Sequence, residues 1–338
     1  MPHPETVRPP LDPAVAQVRR AVRRALAEVS APGPVVVALS GGADSLALAA
    51  GVAFEAPKLG LRAASVTVDH GLQPGSDAVA ADASRAAAAL GLEARVVAVQ
   101  VAETGEGTEA AARDARYRAL FDTARELGAV AVLAAHTLDD QAETVLLGLA
   151  RGAGAASLQG MSPVVEHDGI LLLRPLLGIR RADTVAACAA QGLEPWNDPH
   201  NDDPRYARVR VRRTVLPTLE SELGPGIAEA LARTAEQLQE DAAAFADMID
   251  ETIEDIVEHA EAGIAVSAAA LAANPAALRH RIIRHVVASE FGASLTRTQT
   301  LEVARLATDW AGQGPIDLPA CRARRTGALI VFEAAPRT

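Results

Sequence analysis

The sequence predicts an α/β protein with a doubly wound parallel sheet, followed by a smaller, mainly helical C-terminal domain. Three observations favour this architecture. Up to about residue 215, short apolar runs alternate with helical stretches, which is typical of βαβ units. Beyond that point the strand signal fades and a long amphipathic stretch begins. The length of 338 residues also suits two domains, at about 100–200 residues each.

The N-terminal part is predicted to contain five buried strands. An opening amphipathic helix is expected over 13–29, and the Pro32-Gly33-Pro34 break follows it. Strands are expected where aliphatic and β-branched residues run together, at 34–40, 62–69, 95–101, 130–136 and 170–173. Helices are expected between them, at 44–54, 77–90, 108–127 and 139–150. Because strands that alternate with helices pair in parallel, the segments predict a parallel sheet covered on both faces.

The C-terminal part is predicted to be built on helices. Apolar residues recur at helical spacing between Leu231 and Ile256 and mark one stripe of a long helix. Further helices are expected at 275–291 and 296–311, and Ile316–Leu318 is expected to pair with Ala328–Phe332 as a closing hairpin. We place the domain boundary between 215 and 226, which divides the chain into residues 1–220 and 221–338.

The formal net charge of −11 does not exclude a nucleic-acid partner, because the charge is unevenly distributed. Residues 236–261 hold ten Asp and Glu and no Lys or Arg, and so account for nearly all of it. These acids are interpreted as the solvated face of the long helix. Basic residues cluster elsewhere, at 205–213, 279–285 and 322–325.

Apolar stretches fall short of the roughly 20 residues that span a bilayer, and no signal peptide is readable at the N-terminus. Cys188 and Cys321 form neither a CxxC pair nor a disulfide framework. A cytoplasmic protein with reduced thiols and no membrane partner is therefore expected.

The strongest chemical signal is the segment Ser40-Gly41-Gly42-Ala43-Asp44-Ser45, between a predicted strand and a predicted helix. Two glycines let the backbone approach an anion, and the helix N-terminus adds partial positive charge. The segment therefore predicts a phosphate cradle at the carboxyl end of a parallel strand. It matches neither the lysine-containing P-loop nor GxGxxG. The simpler alternative is a Gly-Gly turn in which Asp44 caps the helix.

This segment resembles the pyrophosphate loop of the N-type ATP pyrophosphatases, the PP-loop superfamily with an adenine nucleotide alpha hydrolase-like fold, which cleave ATP to AMP and pyrophosphate. Within that group the chain resembles the tRNA(Ile)-lysidine synthetases. Family motifs follow in the expected order at 68–72 (VDHGL), 109–117 (EAAARDARY), 135–144 (AHTLDDQAET), 151–161 (RGAGAASLQGM), 174–177 (RPLL) and 201–212. The resemblance covers nearly all of 33–216, and the remainder resembles the family's helical C-terminal domain in length and pattern only. Ser157 and Val209 depart from the family's Gly and Asn.

The resemblance implies an ATP-dependent ligase that acts on tRNA(Ile) with a CAU anticodon. ATP would activate the carbon 2 oxygen of the first anticodon cytidine as an adenylate and release pyrophosphate. Free L-lysine would then displace AMP and give lysidine, which reads AUA instead of AUG. ATP would be a cosubstrate with Mg²⁺, and a homodimer would be possible.

The resemblance also implies roles for individual residues. Catalysis is assigned to Asp44, His136, Asp140 and Arg208. ATP binding is assigned to Ser40, Gly41, Gly42, Ala43, Asp44, Ser45, Asp69 and His70, with Asp44 as the magnesium ligand. Substrate binding is assigned to Arg113, Arg116 and Glu143, the last for the lysine ammonium group. Arg208 would oppose α-phosphate charge.

Each assignment has a simpler alternative. Asp69 and His70 could be solvent-facing residues at a strand end. Asp139 and Asp140 could cap the helix at 139–150. The arginines of 109–117 could pair with a carboxylate one turn away, as Glu109 could with Arg113.

Three other functions are alternatives. A tRNA thiolase would share the fold, but such enzymes commonly need nearby cysteines, which the spacing of Cys188 and Cys321 does not offer. A ligase acting on a free nucleotide or amino acid would not need the C-terminal domain. A catalytically silent RNA-binding adaptor would not need intact SGGADS and HTLDDQAET motifs.

Overall fold

The computed structural model describes residues 11–69, 71, 75–99, 108–152, 154–198, 202–260 and 263–335, with the backbone only for 108–113 and 259–260. The chain divides into two compact units, Met1–Leu238 and Gln239–Thr338, and each contains one sheet. Within the described ranges, no helix is long and apolar enough to cross a membrane.

The first unit alternates strands and helices, as predicted. Its strands are β1 Val35–Ala38, β2 Ala63–Asp69, β3 Glu93–Ala98, β4 Ala131–Leu133, β5 Val164–His167 and β6 Ile170–Leu173. Its helices are α1 Pro13–Ala27, α2 Ala43–Glu55, α3 Ser76–Ala89, α4 Thr108–Glu126, α5 Leu138–Ala150, α6 Ala155–Leu158, α7 Arg181–Ala190, α8 Ala207–Arg210 and α9 Leu216–Leu223. A 3₁₀ turn at Ala56–Leu59 follows α2, and a π-helical turn at Val211–Val215 joins α8 to α9.

The sheet of the first unit has the strand order β3-β2-β1-β4-β6-β5. The first five strands in that order are parallel, and β5 is antiparallel to β6. The chain builds from β1 toward β3 on one side and then places β4 on the other side of β1. The predicted doubly wound parallel sheet is therefore confirmed. Sequence patterns missed β5, because all four of its residues are exposed and lack a buried face.

Helices cover both faces of this sheet. Val35 and Val37 of β1 belong to the same core cluster as apolar residues of α1, α2 and α7. Val36, which points the other way, clusters instead with residues of α4. Since successive side chains of a strand alternate between faces, three buried valines in a row mark a strand enclosed on both sides.

The second unit combines helices with an antiparallel sheet. Its strands are β7 Val257–Ala260, β8 Gly263–Ser267, β9 Ile316–Leu318, β10 Cys321–Thr326 and β11 Leu329–Ala334. Its helices are the C-terminal part of α10 Ile227–Ile256, then α11 Ala268–Ala273, α12 Ala276–Phe291 and α13 Arg297–Thr308. The strand order is β7-β8-β11-β10-β9. The two predicted helices at 275–291 and 296–311 correspond to α12 and α13.

The predicted closing hairpin is wrong in its pairing. Ile316–Leu318 pairs with the beginning of β10, and β11 lies between β10 and β8. The sequence CRARRT hid β10 because its arginines dominate the composition. Only the small side chains of Cys321 and Ala323 are buried from this strand.

The long helix α10 contributes to two different cores. Leu231 packs with Ala228 against residues of α5 and α9 in the first unit. Ile249 and Ile256 lie in the core of the second unit, which confirms the predicted apolar stripe. The acidic residues described along 236–258 are exposed, so the solvated-face interpretation also holds. The compact units divide inside this helix, and the domain division at residue 220 stays a prediction.

One close backbone approach gives a test of this fold. A Cβ atom at Gly148 of α5 would lie 2.5 Å from the carbonyl oxygen of Ser157, which ends up there because α6 packs on α5. Overpacking by the added methyl group should cost about 1–3 kcal/mol. The higher helix propensity of alanine offsets about 1 kcal/mol of that cost, so we expect Gly148→Ala to lower the free energy of unfolding overall. Urea denaturation measures it.

The neighbouring Leu149→Ala is the matched control, because the Leu149 side chain is 58% exposed and its truncation should change the midpoint little. A Gly148→Ala variant as stable as wild type would contradict the close approach of α5 and α6.

Candidate active site

The two strongest motifs lie at the carboxyl ends of adjacent strands. SGGADS follows β1, HTLDDQAET follows β4, and β1 pairs with β4 through Val37 and Leu133. The strand order reverses between these two strands. Open α/β sheets bind ligands in the crevice at such a reversal.

The SGGADS loop has the turn that its glycines predict. Gly41 has a φ of +83°, and a Cβ atom there would also lie 3.3 Å from that of Ala83. The Ser45 hydroxyl donates to the Gly42 carbonyl at 2.9 Å and accepts from the Ser40 N–H at 3.2 Å. The Trp196 N–H donates to the Gly41 carbonyl at 3.0 Å. The loop is thus held in a fixed turn that leads directly into the first turn of α2.

Asp44 lies in that first turn, half-buried and facing α7. Its Oδ1 accepts a short hydrogen bond from the Thr184 hydroxyl, and its Oδ2 lies 3.2 Å from the Nε of Arg181. Burial raises the pKa of the Asp44 carboxyl, although Thr184 and Arg181 act in the opposite direction. The simple alternative, a backbone cap of α2, is not what the side chain does: Gly42 is the N-cap, and no side chain caps it.

Asp140 caps α5, as its simpler alternative predicts, and it also contacts arginines of the site, while its catalytic role stays a prediction. Its Oδ2 accepts from the Thr137 N–H at 2.9 Å and from the Thr137 hydroxyl at 2.8 Å, which completes a capping box at the start of α5. Its Oδ1 accepts from Arg181 at 2.8 Å and from Arg212 at 3.4 Å. Burial opposes ionisation, but Arg181, Thr137 and His136 outweigh it and lower the pKa of Asp140.

Glu143 is fully buried and surrounded by arginines. Arg212 makes a bidentate contact with the Glu143 carboxylate. Its Nε lies 2.7 Å from Oε1, and its Nη2 lies 3.0 Å from Oε2. Arg208 lies 3.6 Å from Oε2, and Arg181 lies 3.5 Å from Oε1. The buried charge is therefore compensated from three directions, as burial of a carboxylate requires.

Arg181 connects the two motifs. Its guanidinium contacts the carboxylates of Asp44, Asp140 and Glu143, and its backbone N–H donates to Asp139 at 2.7 Å. Burial works against its charge, but these carboxylates raise the pKa of Arg181 above its ordinary value. One cation thus neutralises acidic groups from both α2 and α5.

Sequence reasoning missed Arg181 and Thr184, and it gave Arg212 no role. Helix α7, which carries the first two, was not predicted, because the sequence RADTVAACAA has few large apolar residues to mark a period. The available signal was the pair Arg180-Arg181, which follows the RPLL motif after two intervening residues. Arg212 is placed by the π-helical turn, a feature often found at functional sites and not readable from periodicity.

The structure also describes the side chains of His136, Arg208, Asp69 and Arg116, which the sequence assigns to the site. His136 lies next to Thr137 and acts electrostatically on Asp140, and Arg208 donates to the Thr144 hydroxyl at 2.8 Å. Asp69 ends β2, where its carboxylate accepts from the Gly71 N–H at 3.0 Å, and Arg116 lies over the Tyr117 ring at 5.8 Å. His70 and the Arg113 side chain lie outside the described residues.

A small cavity of about 130 Å³ lies beside Glu143, Arg181 and Arg212. Its charged lining comprises Asp139, Glu143, Arg180, Arg181, Arg212 and Glu220. The cavity therefore offers both cationic and anionic partners within one small volume, which suits a zwitterion.

Comparison with known proteins identifies two domains of known families in the chain. A PP-loop domain family model matches residues 15–219, and a model described as a TilS substrate binding domain matches residues 267–327. The chain is 58% identical to a tRNA(Ile)-lysidine synthase of Leifsonia xyli over 89% of its length and 90% of that protein. It is 50% identical to one of Salinispora tropica over 96% of its length and 98% of that protein.

Among solved structures, a U34-tRNA thiolase, NcsA from Methanococcus maripaludis, matches with a TM-score of 0.56. The match covers 67% of this chain and 80% of the thiolase at 19% identity, a likeness of fold alone.

The parallel sheet, the SGGADS turn and the acidic start of α5 define a PP-loop ATP-binding domain. With that domain, the C-terminal match and relatives of up to 58% identity, the chain belongs to the tRNA(Ile)-lysidine synthase family.

The central position of Arg181 generates a prediction. Arg181→Gln leaves the carboxylates of Asp44, Asp140 and Glu143 without their shared counter-charge. We expect the free energy of unfolding to fall by about 2–3 kcal/mol, less than for a fully buried pair because the arginine side chain is 27% exposed. Thermal and urea denaturation measure the loss.

Arg180→Gln is the matched control. Arg180 pairs with Asp139 and Glu229, and its side chain is more exposed, so its loss should cost less than about 1 kcal/mol. Equal effects of the two substitutions would show that Arg181 does not have the central role.

Proposed function

We propose that this protein ligates free L-lysine to carbon 2 of the first anticodon cytidine of tRNA(Ile) with a CAU anticodon, using ATP. The observation that carries the proposal is the joining of the SGGADS loop to the acidic start of α5 through Arg181. In this arrangement the turn proposed to bind phosphate lies beside carboxylates and arginines at the carboxyl ends of β1 and β4. Family membership supplies the substrate class.

The SGGADS turn supports ATP binding through its backbone. Gly41 and Gly42 leave room for phosphate oxygens to approach the start of α2, where partial positive charge favours an anion. Asp44 fits a magnesium site because Mg²⁺ takes one or two carboxylates together with phosphate oxygens. When bound, Mg²⁺ would neutralise phosphate charge. Asp44 would then exchange its contact with Arg181 for the metal.

The first step activates a poor leaving group. The carbon 2 oxygen of the cytosine attacks the α-phosphorus, a P–O bond forms, and the bond to the β-phosphate breaks as pyrophosphate leaves. Arg208 and Arg212 lie at the same site and are the cations available to oppose charge on the α-phosphate. The target base must leave the anticodon stack, which a single-stranded loop permits.

The second step forms the C–N bond. The neutral lysine side-chain amine attacks carbon 2, the C–O bond breaks, and AMP leaves with the oxygen while the amine nitrogen loses its proton. The cavity beside α5 is the candidate lysine subsite, since Arg180 and Arg181 suit its carboxylate and the acidic lining suits an ammonium group.

The direct test is nucleoside mass spectrometry of a tRNA(Ile) transcript after incubation with ATP, Mg²⁺ and lysine. We expect a cytidine whose mass has increased by lysine less one water, in a reaction that depends on both ATP and lysine. Asp44→Asn keeps the side-chain shape and removes the charge, so pyrophosphate release should fall at least about a hundredfold. Unmodified tRNA with the wild-type protein would overturn the proposal.

The same assay with a sulfur donor tests the thiolase alternative. Both cysteines are buried, and burial raises the pKa of the Cys188 thiol to about 11, so its thiolate is scarce near neutral pH. A sulfur-containing product would favour that alternative. AMP formation that depends on tRNA would exclude a catalytically silent adaptor.

The role predicted for Glu143 needs its own test, because its carboxylate is in contact with three arginines. A lysine ammonium group would have to displace one of them, and the two longest contacts, 3.6 Å to Arg208 and 3.5 Å to Arg181, are the easiest to replace. If Glu143 binds the ammonium group, Glu143→Gln loses a charge-assisted hydrogen bond. The KM for lysine should then rise about ten- to a hundredfold while adenylate formation continues.

The control is Glu229→Gln, a partly exposed partner of Arg180 outside the arginine cluster around Glu143. Equal loss of adenylate formation and ligation in Glu143→Gln would contradict lysine binding. It would make Glu143 a residue that positions Arg208 and Arg212.

A further inference from the structure

The second unit contains two groups of arginines that are compensated very differently. On β10, Arg322 pairs with Asp317 at 2.6 Å, and Arg324 pairs with Glu333 at 2.7 Å. Arg325 donates to the Leu306 carbonyl at 2.9 Å. These three arginines therefore have partners within their own unit, and their contacts connect β10 to neighbouring strands and to α13.

Arg279 on α12 also serves the fold. It lies one position after buried Leu278, and its guanidinium donates to the Ala272 carbonyl at 2.9 Å. At 100° per residue, this position is on the same side of α12 as the core residues Leu278 and Ile282. Arg279 is thus a structural residue, although the sequence places it in the basic cluster at 279–285.

The opposite side of α12 presents uncompensated charge. We define the α12–α13 patch as His280, Arg281, Arg284 and Arg297, the last being the first residue of α13. Arg281 lies over the Phe245 ring at 3.9 Å and donates to the Ala277 carbonyl. Arg284 and Arg297 make no ion pair or side-chain hydrogen bond with any residue that the structure describes.

The patch members repel one another. His280 and Arg281 are four and three residues before Arg284, so the side chains are neighbours on one helix face. Burial and the charges of Arg281 and Arg297 lower the pKa of Arg284, and burial together with nearby arginines lowers the pKa of His280. The N-terminus of α13 adds partial positive charge beside Arg297. Such a cluster is stabilised when an anion binds between its members.

We propose that the α12–α13 patch binds a backbone phosphate of the RNA substrate. This inference rests on the proposed function, and it assigns RNA contact to this patch and not to β10. A guanidinium fork matches phosphate geometry, and Phe245 keeps the plane of Arg281 fixed for that purpose. The acidic face of α10 repels a polyanion, so the patch offers the second unit a local site of attraction.

The test compares two variants that each lose two charges. Arg284→Gln/Arg297→Gln removes the arginines that have no described partner, so the fold should be preserved. Arg322→Gln/Arg324→Gln is the matched control on β10. Binding of an unmodified tRNA(Ile) transcript is measured without ATP or lysine, from about 50 to about 300 mM KCl. Thermal denaturation checks both folds.

We expect the patch variant to bind tRNA about tenfold more weakly at low salt, with the slope of log Kd against log salt reduced by about one, because one phosphate contact is lost. The control should keep the wild-type slope. In turnover, the patch variant should raise the KM for tRNA and leave kcat unchanged. A wild-type slope in the patch variant, or the same change in both variants, would overturn the inference.

This result is separable from the proposed function. If wild-type protein forms lysidine and the patch variant binds tRNA normally, only the phosphate site fails. If wild-type protein forms no lysidine, the proposed function fails, and the salt dependence still reports whether the patch binds RNA.

Discussion

The site depends on one guanidinium placed between acidic groups from two neighbouring strand ends. Asp44 follows β1, and Asp140 and Glu143 follow β4, so the parallel pairing of these strands brings like charges together. Without a cation among them, carboxylates that are buried or half-buried would repel one another or take up protons. Arg181 removes this conflict and fixes the spacing between the phosphate loop and α5. The sheet order therefore creates an electrostatic problem that α7 resolves.

The short segments that carry the polar residues around Arg181 also pack against the rest of the first unit. The SGGADS turn is held by Ser45 from within and by the Trp196 backbone from outside. Helix α7 buries Cys188 against the core and presents Arg181 and Thr184 to the site from its first turn. The π-helical turn positions Arg212 on Glu143. Arg181, Thr184 and Arg212 of the candidate site thus belong to helical segments that also contribute buried residues to the hydrophobic core.

Much of this could be predicted from the sequence, for identifiable reasons. Val35–Val37 is apolar on both faces, so β1 and the parallel sheet were readable, and Gly41 marked a turn that requires positive φ. Sequence periodicity could not reveal α7, whose alanine-rich pattern has little contrast, or β10, whose buried residues are two small side chains. Which arginine meets which carboxylate is set by packing between elements distant in sequence. The sequence therefore predicts a ligand for Glu143, whereas its arginine partners are visible only in the structure.

The double use of Asp140 constrains how this site can diverge during evolution. One carboxylate oxygen accepts a hydrogen bond from the Thr137 N–H in the capping box of α5. The other oxygen accepts a hydrogen bond from Arg181. Asparagine would keep an acceptor for Thr137 and lose the charge that faces the arginines. Glutamate is a usual residue at this position of a capping box, so it would keep the cap and the charge while extending the carboxylate by one methylene. A substitution that removes the side-chain oxygens altogether changes the cap and the contact with the arginines in a single mutational step. Helix stability and the electrostatics of the site are therefore coupled at this one position.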